Sequence, residues 1–180
     1  MLAPEALNFH PRHIDEFHGV ILSGLTNQEA RDAVELVHSD DYGAYWQGRT
    51  IGQAISTAAT AAIEEGRAQE VLTVLDVNAA LMEQGALKDA SFVMVWTGFI
   101  SPQIVPPMQS KARLPELARR IIEDHFRMVH ADIYGGTTSY EMPLADLCTQ
   151  MDRDRQRLLS IYSRMPSAPA LKAVKAGDAA

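Results

Sequence analysis

Along almost the whole of this 180-residue chain the apolar residues recur at spacings of three and four, in runs bounded by helix-starting and helix-ending residues. That period matches the roughly 3.6 residues of an α-helical turn and leaves little of the strict alternation that half-buried strands need. The expected fold is all-α: one bundle of about six helices over residues 1–165, with a proline-rich connector near 101–110. Residues 166–180 are expected to form a tail, flexible or bound by a partner.

The runs can be placed one by one. Pro11 suits the first turn of a helix reaching about Leu22, with Ile14, Phe17, Ile21 and Leu25 on one face. Thr26 and Glu29 have capping-box spacing, in which hydroxyl and carboxylate each accept from a free backbone N–H; a helix to about His38 follows, with Ala30, Val34 and Val37 inward. In "RTIGQAISTAATAAIEEG", Ala54, Ala58 and Ala62 recur at every fourth position. Such small side chains admit a neighbouring backbone and predict a central or interfacial helix. The stretch from Arg67 to Gly85 is expected to be a further helix carrying Val71, Leu72, Leu75, Ala79 and Met82 on one side.

"SFVMVWTGFI" is ambiguous. Its β-branched and aromatic residues suit a short strand near 92–97. A lone strand has no pairing partner, which favours a buried helix from about Lys88 to Gly98. Pro102, Pro106 and Pro107 then exclude a helix. Pro115 opens the next helix, ending at Gly135-Gly136, with Leu114, Leu117, Ile121 and Met128 inward. A last helix from about Pro143 to Arg164 carries Leu144, Leu147, Met151, Leu158 and Tyr162.

Composition excludes several classes of function. Apolar residues make up 47%, enough to fill a core, yet no run reaches the roughly 20 needed to span a bilayer. The N-terminus lacks a secretory pattern, and the one cysteine, Cys148, cannot form an internal disulfide. A cytoplasmic protein, or one inside an assembled particle, is the expectation. Residues 1–110 carry five Lys/Arg against fourteen Asp/Glu, and residues 111–180 eleven against nine. An acidic front and a mildly basic back suit protein partners better than nucleic acid, whose phosphates require clustered cations.

Candidate chemistry is sparse. His10, His13 and His18 crowd the first helix, but His13 and His18 are about 140° apart around a helix. A surface and capping role is therefore expected rather than a metal site. Glu35 and His38 have the E-x-x-H spacing of di-iron bundles, but no second such pair exists. His125 and Asp132 fall near the centre of an apolar stripe and are candidate buried polar residues, each needing a partner on another element. Cys148, on the stripe of the last helix, is expected to be buried and inert. Tyr42, Tyr45 and Trp46 are candidate partner contacts, as are Arg153, Arg155 and Arg157.

No catalytic or cofactor motif is present, and no cofactor or metal is expected. The leading expectation is a non-catalytic structural, adaptor or assembly subunit, of which a virion connector is one kind, in a homo- or hetero-oligomer. The alternatives are a helical enzyme or metal-binding protein that draws His and carboxylates from separate helices, and a small nucleic-acid-binding regulator.

Overall fold

Helix boundaries follow local capping chemistry. The computed structural model describes residues 12–100, 111–135 and 142–166. Among them are seven α-helices and no strand: α1 (Arg12–Leu22), α2 (Asn27–Val34), α3 (Trp46–Glu64), α4 (Val74–Glu83), α5 (Ala90–Ile100), α6 (Leu114–Gly135) and α7 (Leu144–Ser163). The all-α class stands. The proline connector 101–110, His10, and the tail beyond Pro166 lie outside the described residues.

The Thr26–Glu29 box is formed in both directions and starts α2. Thr73 and Asp76 form a second box, which starts α4 well after Arg67. That later start corrects the stripe read for this run. Leu75 and Met82 are exposed, and the buried residues are Val77, Ala80 and Leu81. Before the box the chain is extended: Leu72 N–H donates to the carbonyl of Leu25 at 2.9 Å, Leu72 is buried, and Val71 points outward. The ambiguous stretch is helical. Asp89 Oδ1 accepts from the backbone N–H groups of Ser91 and Phe92, nucleating α5. Its face of Phe92, Trp96 and Phe99 is buried.

Helix α3 is central, with α2 and α4 packed on it. Its buried face is mostly small: Gly48, Gly52, Ala54, Ala58, Ala59 and Ala62, with Ile51 and Ile55 between. The close approach is real at Gly52, where a Cβ would lie 2.5 Å from Tyr42 Oη. Helix α1 packs on α3 and on α6, and α6 in turn carries α7. Two apolar clusters result. The large one draws on α1 to α6; the small one joins Ile122 and Val129 of α6 to Ile161 of α7, with Phe126, Ile133, Leu158 and Met165 around them.

Candidate functional site

Among the described residues the most connected carboxylate is Asp41, from a short 3-10 turn at Ser39–Tyr42. It is fully buried and accepts four hydrogen bonds. His38 backbone N–H donates to Oδ2 at 2.8 Å, fixing the turn. Arg164, the residue that ends α7, donates from Nη1 to Oδ2 at 2.6 Å and from Nη2 to Oδ1 at 2.9 Å. His125 of α6 bonds Oδ1 through Nδ1 at 2.6 Å. Burial pushes the Asp41 carboxyl up, but the bonds from His125, Arg164 and His38, with the charge of Arg164, outweigh it and hold it at about 2. An ionised carboxylate only accepts, so His125 is held with its proton on Nδ1. Its other nitrogen, Nε2, takes no part in the contact with Asp41.

His125 is buried, and one edge of its environment is a cleft of about 440 Å³ lined also by Asp40, Gly43, Arg49, Met128, Val129, Asp132 and Arg157. A carboxylate that fixes an imidazole tautomer beside a cleft is chemically suited to binding or proton transfer. Asp132 departs from the expectation of burial: it is exposed. It lies three residues beyond Val129, the last buried residue of α6, and lines the cleft. Sequence reasoning missed Asp41 and Arg164. The available signal was the His38-to-Asp41 spacing, a capping pattern in which only the backbone of His38 takes part.

Behind Asp41 lies a second buried polar pair. His18 Nε2 meets Tyr42 Oη at 3.2 Å, and the rings stack at 5.7 Å. His18 is fully buried, not a surface residue, and burial lowers its pKa to about 3. The spacing contained this: His18 follows Ile14 by four and precedes Ile21 by three, so it sits within the apolar face. His13 is on another side, paired with Asp124 of α6 at 3.0 Å.

The other singled-out residues disperse. Tyr42 is 3% exposed and belongs to the core rather than the surface. Tyr45 turns inward to donate to Asp15 at 2.9 Å. Trp46 keeps 38% exposure while its ring lies 5.7 Å from Phe92. Arg153, Arg155 and Arg157 are exposed on α7. Glu35 and His38 do not share a helix, because α2 ends at Val34. Among the described residues no group of three His, Cys, Asp or Glu side chains could hold a metal ion. No described helix is long and apolar enough to cross a membrane.

Helix α7 is the outlier of the fold. It spans 20 residues, yet Ile161 alone is buried. Leu144 and Met151 are 75% and 63% exposed, and Cys148 is exposed rather than buried. The physical reason is length. The contacts of α7 with α6 gather near Leu158, Ile161 and Met165. Leu144 lies about 21 Å from Leu158 at 1.5 Å per residue. Helix α6 ends at Gly135, only about 9 Å beyond Val129. Between the two helices opens an apolar cavity of about 680 Å³, lined by Phe126, Ile133 and Tyr134 on one side and by Leu147, Met151 and Leu158 on the other.

Comparison with protein-family models, curated proteins and solved structures finds no match to the chain.

Proposed function

We propose that the protein is a non-catalytic assembly subunit that associates through α7, with a second copy of the chain as partner. The observation that carries this reading is the apolar stripe of α7, exposed at Leu144, Met151 and Leu159 and continuous with the cavity against α6. A helix in water that buries one residue of twenty gains little from packing, and isolated helices of this length are marginal. A partner helix on the stripe removes the apolar surface and stabilises α7 together.

The charges beside the stripe favour a like partner. Asp152 and Asp154 alternate with Arg153 and Arg155. An antiparallel copy of α7 presents the same run reversed, so both signs are available to each. Two-fold pairing of one patch on itself is also the commonest form of self-association. The test is light scattering on the full chain at tens of micromolar. A dimer is expected, and Leu144→Glu with Met151→Glu should yield a folded monomer, since both side chains are exposed. A monomeric wild type, or a dimer that survives both substitutions, defeats the proposal.

A further inference from the structure

The cleft beside His125 has no part in that association. It is built from four elements: Asp40 from the 3-10 turn, Arg49 from α3, His125 and Asp132 from α6, and Arg157 from α7. Two features set it apart from ordinary polar surface. Its imidazole is fixed from behind: the buried Asp41 carboxylate holds Nδ1–H, and Arg164 holds the carboxylate in turn. Its two guanidiniums carry open donors. Neither Arg49 nor Arg157 makes a salt bridge among the described residues, although two carboxylates line the same cleft. Most other described guanidiniums are paired, as Arg119 is with Glu116 and Glu123 and Arg164 with Asp41; Arg153 and Arg155 on α7 are open too, but neither stands in a cleft with an imidazole.

We propose that this cleft binds a small oxyanion, a phosphate or carboxylate group, between Arg49, Arg157 and His125 Nε2. Guanidinium N–H groups match the oxygens of such an anion. His125 Nε2 completes the set by accepting from a protonated oxygen, as on monohydrogen phosphate, or by donating when the ring is protonated. Metal chemistry is not the reading here, because the described carboxylates and imidazoles do not converge on one point. Asp40 and Asp132 return the rim to neutrality, so selection comes from donor placement rather than from a strong field. An affinity on the order of 1 mM for the bare anion is expected. The bound anion would also tie α7, through Arg157, to α3, the 3-10 turn and α6.

The experiment is an NMR titration of the full chain with sodium phosphate, following the side-chain nitrogens of the histidines. Ionic strength is held constant with sodium chloride, and a parallel arm uses acetate. Saturable movement of the His125 ring signals in phosphate or acetate, absent in chloride alone, is expected. The two arms separate a phosphate from a carboxylate ligand. Arg157→Gln changes an exposed side chain and should weaken binding by about tenfold, the loss of one or two charge-assisted bonds, while leaving the spectrum of the core unchanged. Arg49→Gln should do the same. A linear response, an equal response to chloride, or unchanged affinity in both variants overturns the proposal.

Discussion

Two buried residues contribute to the acid stability of this protein in overlapping pH windows. Asp41 has its carboxyl at about 2 against an ordinary 3.8, so the folded state prefers it ionised. Its contribution is complete above the ordinary value and is lost as pH falls towards about 2. Asp41→Asn should cost about 3 kcal/mol in urea unfolding at neutral pH, because Arg164 loses a buried counter-charge and His125 a carboxylate acceptor. It should also flatten the stability curve in that acid window; a loss under about 1 kcal/mol would show that the network adds little. His18 acts at higher pH. Its folded pKa is lowered from 6.5 to about 3, so the unfolded chain takes up the proton that the folded one refuses. Stability should fall by about 1.4 kcal/mol per unit as pH drops from 6.5 towards 3. His18→Gln, neutral and still able to bond Tyr42, should remove that slope. A mutant with the wild-type slope would refute the assignment. The place of His18 could be read from spacing alone; the convergence of Asp41, His125 and Arg164 could not, because the carboxylate is 84 residues from one partner and 123 from the other.

At the scale of elements, the same kind of substitution should act in opposite directions on two helices. Gly52→Ala in α3 brings a Cβ to 2.5 Å from Tyr42 Oη and 3.3 Å from His18 Nε2. Overpacking of this kind costs about 1–3 kcal/mol, more than the helix propensity that alanine adds. Gly19→Ala in α1 meets no atom within 4 Å and should stabilise by about 0.5–1 kcal/mol. Thermal melts of the two variants decide the matter, and shifts of the same sign would contradict the packing of α3. Element boundaries were legible wherever a capping pair was recognised. Thr26 with Glu29 marks the start of α2, but the helix ends at Val34 rather than near His38. Thr73 with Asp76 has the equivalent spacing and starts α4, whereas a helix read from Arg67 takes its stripe from Val71 and Leu72 and places Leu75 inside, where it is 79% exposed. The error lies in joining Val71 and Leu72 to the stripe: both precede the helix, so their facing says nothing about which side of α4 is buried.

For the whole molecule, the outward course of α7 has a measurable consequence. In hydrogen exchange at low protein concentration, the amides of the first half of α7 should exchange far faster than those of α6, which are held by buried Ile121, Ile122 and His125. Raising the concentration into the dimer range should slow exchange selectively between Leu144 and Arg153. Slow exchange there at every concentration would mean that α7 is stable without a partner.

Taken alone, the sequence determined the helical class and most helix faces, because periodicity and caps are local and act within a few residues. It also excluded a membrane span among its apolar runs, which are simply too short. Tertiary structure alone decided which apolar stripes find a neighbour. Asp132 and Leu144 both sit on well-formed stripes, yet both are exposed, since burial needs a packed neighbour that periodicity alone does not supply. It alone also brought Asp41, His125 and Arg164 to one point, and Arg49 and Arg157 to one cleft. Such contacts join residues far apart in the chain, and no local period records them.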